Sequence, residues 1–169
     1  GPAPATGTIG AQQNVSGFLG RGLVNTFLQG DSTTGTLTSP EFTIERPFIT
    51  FLIGGGSYAE GTYIELLIDG DRRAHAVGKD KELLEWANFD VKEFVGKKAV
   101  LKIVDRSTSA WGHINIDQIA MSDNAKGPTG RAVLSPEQRS ENMRQAMDSL
   151  GCKEIIFCTR EVDNDGHWY

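Results

Sequence analysis

The chain has 169 residues, 38% of them hydrophobic and 23% charged, with a formal net charge of -5 at pH 7: enough for one cored domain plus appendages. The acidic balance argues against nucleic acid, whose phosphates call for clustered Lys and Arg, and against docking on anionic lipid. No apolar run approaches the roughly 18 residues that mark a membrane span, and 20 glycines describe a turn-rich chain rather than a helical bundle.

Taken in chain order, residues 1–16 are small and polar without periodicity, and read as a flexible lead-in in which Gly1-Pro2 is the scar of a removed tag. From 17 to 123 the pattern is all-β. Short apolar segments at 23–27, 36–39, 42–44, 48–53, 63–68, 72–77, 83–90, 99–104 and 114–121 alternate with turn residues, the spacing of a jelly-roll β-sandwich of the concanavalin or galactose-binding type. The near-continuous apolar run 48–53 predicts a central strand buried on both faces. Asp69-Gly70 between two such segments is a hairpin signal. Residues 124–134 read as a linker. Ser135-Pro136 with Gln138 opens a short helix that Gly151 ends, with Met143, Ala146, Met147 and Leu150 on one face. Residues 154–159 read as one extra strand, so 135–169 resemble the start of a further module. Cys152 and Cys158 fit no zinc, redox or haem spacing, and their pairing stays open.

The chemistry-bearing residues argue for binding rather than catalysis. No G-x-S-x-G elbow accompanies His75, His113 or His167, and Gly54-Gly55-Gly56 precedes no helix that could cradle phosphate. No D-x-D-x-D-G run supports calcium, so neither metal nor cofactor is expected. Sugar recognition needs an aromatic face for the ring's C–H patch and paired polar groups for its hydroxyls. The loop 105–113 carries Asp105, Trp111 and His113; the loop after residue 53 carries Tyr58 and Glu60; the stretch 81–86 carries Glu82 and Glu85. Loops at one end of a sandwich commonly form its site. Each has a plainer reading too: Trp111 as a core cap, His113 as a buried hydrogen-bonded histidine, Asp117 as a tie to a loop amide, and the three glycines as points of close backbone approach.

The segments GLVNTFLQGDSTTGTLTSPEFTIERPFITFLIGGG (22–56) and LEWANFDVKEFVGKKAVLKIVDRSTSAWGHINIDQI (84–119) resemble the fructan-binding module of levanases, carbohydrate-binding module family 66, and the similar sandwiches that end glycoside hydrolase family 32 enzymes. The resemblance spans about residues 17–123. It implies a non-catalytic module that holds terminal fructose of levan-type chains within a larger, secreted protein, extracellular or periplasmic, with neighbouring domains as its other partners. Asp31, Arg72, Glu82 and Asp105 would then contact hydroxyls. Trp111 and Tyr58 would offer apolar faces, His113 would orient its loop, and Gly54, Gly55 and Gly56 would let backbone approach the sugar. Ala74 stands where the family often has Arg; strict alternation puts Arg72 on the face of Ala74 and Arg73 on the other. Phe89 replaces the second tryptophan of the W-x-x-W-D-V pattern. Two other readings are a structural or docking sandwich, and a hydrolase using Glu82 and Asp105 as its carboxylate pair.

Overall fold

The computed structural model describes residues 5–126. It contains β1 (Val24–Asn25), β2 (Gly35–Thr38), β3 (Phe42–Thr43), β4 (Phe48–Gly55), β5 (Thr62–Ile68), β6 (Asp71–Ala76), β7 (Lys81–Asp90), β8 (Lys98–Asp105) and β9 (Ile114–Ser122). Every apolar segment expected within 17–123 carries a strand. The helix at 135–150, the strand at 154–159, both cysteines and most of the linker 124–134 lie outside the described residues. Among the described residues the helical content is a single 3₁₀ turn, Lys92–Phe94, and no helix is long and apolar enough to cross a membrane.

One antiparallel sheet runs β1-β9-β4-β7; the other runs β2-β8-β5-β6, with β3 pairing farther along β8. The two face each other as a β-sandwich. Alternation explains the core: Ile49, Phe51, Phe89, Ile114 and Ile116 point inward from the first sheet, and Ile64, Leu66, Ile68, Leu101 and Ile103 from the second. Phe89 is core and packs on Phe51 at 4.9 Å between ring centroids. The Asp69-Gly70 hairpin forms as expected, with both residues at positive φ (53° and 83°), the combination of a two-residue primed turn.

The central strand β4 is buried on both faces, and this overturns the reading of the described part of the lead-in, residues 5–16, as loose. Inward residues of β4 join the main core, while Leu52 points outward into a second small core with Val15, Leu23 and Leu84. Residues 5–16 supply the cover. The Leu23 amide donates to the Ala5 carbonyl (2.9 Å); Ser16 pairs in parallel with β7, donating to Glu82 O (3.1 Å) and accepting from the Leu84 amide (2.8 Å). A segment without periodicity can still be fixed when a sheet face above it is apolar, because burying that face outweighs the ordering entropy.

Register shifts interrupt β4 against both of its neighbours, and a further one at β6 moves a candidate site residue. Between Leu66 and Leu67 the β5–β6 register shifts, Ala74 pairing with Leu66 and Arg72 with Leu67, so Arg73 is the extra residue of a bulge. Ala74 therefore packs against the core, whereas Arg72 lies on the outer face. Its Nε donates to Glu65 Oε2 at 2.8 Å, and its guanidinium sits 5.0 Å from the centre of the Tyr63 ring.

Removing residues 1–16 should expose Leu23, Leu52 and Leu84 and cost on the order of 3 kcal/mol or more, as expected for stripping cover from several apolar side chains. Thermal unfolding with a hydrophobic dye checks this: an earlier transition with higher dye binding is expected, and an unchanged midpoint contradicts the covering role.

Candidate functional site

The sheet topology brings Asp31, Glu82, Trp111 and His113 to one place. Glu82, Asn115 and Asn25 project outward from β7, β9 and β1, toward the N-terminal segment rather than into the main core. Glu82 is 7% exposed and His113 3% exposed. His113 Nδ1 lies 2.6 Å from Asp31 Oδ1 and its Nε2 lies 3.0 Å from Glu82 Oε1. The other Glu82 oxygen accepts from Asn115 Nδ2 (2.7 Å) and Gln12 Nε2 (3.1 Å). Gln12 in turn accepts at Oε1 from Asn25 Nδ2 (2.8 Å), which also donates to the Gly7 carbonyl (3.0 Å). A carboxylate in a dry site is tolerable only with such a full set of donors.

The network reaches the loop between β8 and β9 through Trp111. Its indole stacks on His113 (5.7 Å between centroids, planes 23° apart), while Phe27 meets the imidazole edge-on at 4.9 Å. The Trp111 amide donates to Asp31 Oδ2 (3.2 Å). Trp111 holds φ +61°, a left-handed conformation unusual for a bulky residue and sustained only where its surroundings over-determine it. Gly56 is part of that constraint, since a Cβ there would overlap the Trp111 carbonyl. The space that sequence reasoning gave to a sugar at Gly54, Gly55 and Gly56 is thus filled by protein: Gly54 faces β7 backbone, Gly55 the His113 carbonyl and Gly56 the Trp111 carbonyl. Asp117 is the expected tie, accepting from the Leu19 amide at 2.7 Å.

Asp105 sits apart from these bonds. It is 1% exposed, and neither carboxylate oxygen has a hydrogen-bond partner; the hydroxyl of Thr62, its cross-strand neighbour, is likewise unpaired. Burial pushes the Asp105 carboxyl above the usual carboxylate range, and the nearby Thr26 hydroxyl, Ser107 amide and His113 only partly oppose this.

Tyr58 and Arg72 lie elsewhere. The rim loops at Tyr58–Gly61 and Arg106–Ser109 enclose an open cleft of about 490 Å³ lined by Tyr58, Glu60, Arg106, Ser107, Thr108 and Ser109 among others. Tyr58 is 42% exposed, and its hydroxyl donates to the Ala110 carbonyl (3.0 Å), which lays the ring against the β8–β9 loop. Arg72 stands behind Glu60, with 3.9 Å between Nη1 and Oε1. A second cleft of about 420 Å³ opens between the sheets, but its walls (Val24, Leu37, Phe42, Ile49, Leu101 and Ile119 among them) are mostly hydrocarbon, with Thr38 and Ser39 as their polar side chains and no charged group. Sequence reasoning missed Gln12, Asn25 and Asn115 in the buried network and Arg106–Ser109 in the cleft. The signal for the asparagines was local: Asn25 follows Leu23-Val24, and Asn115 stands between Ile114 and Ile116.

No protein-family model matches the chain. It is 43% identical over 121 residues to the Aspergillus rugulosus protein named "Putative glycosyl hydrolase ecdE", a match covering 72% of this chain and 17% of that protein. The chain therefore spans about one-sixth of that relative's length. Among solved structures, a family 35 carbohydrate-binding module from an environmental isolate aligns at 13% identity and TM-score 0.40, covering 71% of this chain and 85% of that one. A Paenibacillus cycloisomaltooligosaccharide glucanotransferase complexed with cycloisomaltoheptaose aligns at 15% identity and TM-score 0.38, over 71% of this chain and 17% of that one.

Asp105 generates a pH prediction. A carboxyl whose folded-state pKa is raised costs stability once ionised, so stability falls as pH rises from the ordinary carboxylate range through the raised value. Asp105→Asn imitates the protonated form. It should unfold at higher temperature than the native chain at pH 7, with the gap closing as pH drops below the ordinary carboxylate range. A variant less stable at pH 7 would contradict an unpaired buried charge.

Proposed function

We propose that the sandwich is a non-catalytic carbohydrate-binding module of a longer protein, and that it holds a glycan in the rim cleft between Tyr58–Gly61 and Arg106–Ser109. The cleft itself carries the reading. It combines an exposed aromatic ring with a guanidinium, a carboxylate and three hydroxyl side chains in one open concavity, the two devices sugar recognition needs. The name of the Aspergillus relative supports a carbohydrate setting, and the resemblance to the levanase module points to terminal fructose of levan-like fructans as the ligand class. A secreted parent, with the module tethered beside other domains, completes the proposal; tethering raises effective concentration, so weak binding suffices.

In this reading the sequence-derived contacts divide. Tyr58 is the apolar face, and Arg72 steadies Glu60 from behind. Asp31, Glu82 and His113 support the loop instead of meeting hydroxyls, because their hydrogen bonds go to one another. The same fact opposes a hydrolase built on Glu82 and Asp105: both Glu82 oxygens are committed to internal partners, and general acid–base work needs a group that reaches substrate. It also favours the second reading, a spacer or docking sandwich whose polar residues hold only its own loops.

Calorimetric titration with levan, inulin and simple fructosides separates the two. The binding module predicts dissociation constants between about 1 mM and 1 μM, roughly -4 to -8 kcal/mol, and no reducing-sugar release. Tyr58→Ala should weaken binding at least about tenfold, the loss of one stacking face, with the unfolding midpoint within a few degrees. Flat isotherms with all three ligands at high millimolar concentration would leave the spacer.

A further inference from the structure

The cleft and the N-terminal segment sit at opposite ends of one buried chain of contacts. Starting from the segment, Gln12 Nε2 donates to Glu82 (3.1 Å), Glu82 faces His113 (3.0 Å), and His113 carries the Trp111 indole on its ring. Trp111 is the hinge of the loop whose beginning, Arg106–Ser109, forms one cleft wall. That loop is tightly wound. The Gly112 amide donates to the Ser109 carbonyl (2.7 Å), and a Cβ at Gly112 would press on the Ser107 and Ser109 carbonyls. The opposite wall is tied to it through the Tyr58–Ala110 bond. A left-handed tryptophan costs about 1–3 kcal/mol and does not persist unaided. Here its amide, ring and carbonyl are each held: by Asp31, by His113 and by the close approach of Gly56. Asp31 and His113 are in turn fixed by each other and by Glu82.

We propose that Gln12 is a positioning residue for the glycan cleft, acting through Glu82, His113 and Trp111 on a loop it never touches. The proposal rests on the cleft being the binding site, and it makes residues 5–16 part of the functional module rather than an ornament on it. Gln12 suits the role because its amide uses both ends: Nε2 donates to Glu82, while Oε1 accepts from Asn25 and from the Ile9 amide (3.2 Å). Withdrawing that donor leaves Glu82 one partner short in a dry site. The carboxylate then recovers a donor by shifting, and His113 and Trp111 shift with it.

Gln12→Met keeps the volume and removes the donor, so it separates hydrogen bonding from packing. Hydrogen exchange on the full chain should show amides 107–112 losing protection about five- to tenfold, the range of a modest site-to-site coupling, while β4, β5 and β8 keep theirs. Levan binding should weaken by a similar factor, with the unfolding midpoint lower by only a few degrees, the cost of one buried acceptor left unpaired. Gln12→Glu, which restores the side chain's shape but sets a carboxylate against Glu82, should be no better than Gln12→Met. Unchanged exchange at 107–112 in Gln12→Met overturns the positioning role, whatever levan does. Faster exchange there in a protein whose unmutated form binds no levan keeps the coupling and instead removes the sugar reading.

Discussion

A single buried carboxylate decides how this sandwich is finished at one end. Glu82 lies on an edge strand, outside the hydrophobic core and yet out of water, and so must find all its partners within the protein. Four separate pieces of chain supply them: the N-terminal segment through Gln12, β9 and the residue before it through Asn115 and His113, β1 through Asn25 behind Gln12, and the β1–β2 loop through Asp31 behind His113. Buried charge of this kind adds little to stability compared with a well-packed apolar replacement. Removing a charged member, however, leaves its partner uncompensated and costs about 3–5 kcal/mol, and removing a neutral donor such as Gln12 about 1–3 kcal/mol. What such a cluster contributes is geometry. Carboxylates and amides bond over a narrow range of distance and angle, so they hold segments in one arrangement where apolar contacts would accept several.

Most of the scaffold was legible in the sequence because period-two alternation and turn chemistry act locally. The nine strands, the Asp69-Gly70 hairpin and the doubly buried β4 all follow from a few neighbouring residues each. Two features were not legible, for different reasons. The bulge at Arg73 depends on how β5 and β6 slide past each other, and a one-residue shift moved Arg72 from the face of Ala74 to the outer face beside Glu65 and Tyr63. The cover given by residues 5–16 depends on Leu52 and Leu84, both distant in sequence. Only the continuous apolar run 48–53 hinted that something had to lie over Leu52.

The candidate site was legible as a set of residue types and misread as a set of contacts. Asp31, Glu82, Trp111 and His113 do gather, as the loops at one end of a sandwich allow, but they face one another. Charged and aromatic residues drawn together by a fold serve equally to grip a ligand or to grip a loop, and sequence spacing does not distinguish the two; burial and hydrogen-bond partners do. The rim cleft shows the converse. Arg106, Ser107, Thr108 and Ser109 form an unremarkable polar stretch in sequence and become a cleft wall in a loop that reaches the buried cluster through the left-handed Trp111.

The coupling between the N-terminal segment and the cleft loop is most directly measured by a double-mutant cycle in stability, pairing Gln12→Met with His113→Phe. Both side chains bond to Glu82, and independent roles would give costs that add within about 0.3–0.5 kcal/mol. A shared junction predicts a combined cost short of the sum by more than that, because the first substitution has already loosened the carboxylate that the second depends on. Strict additivity would contradict the account.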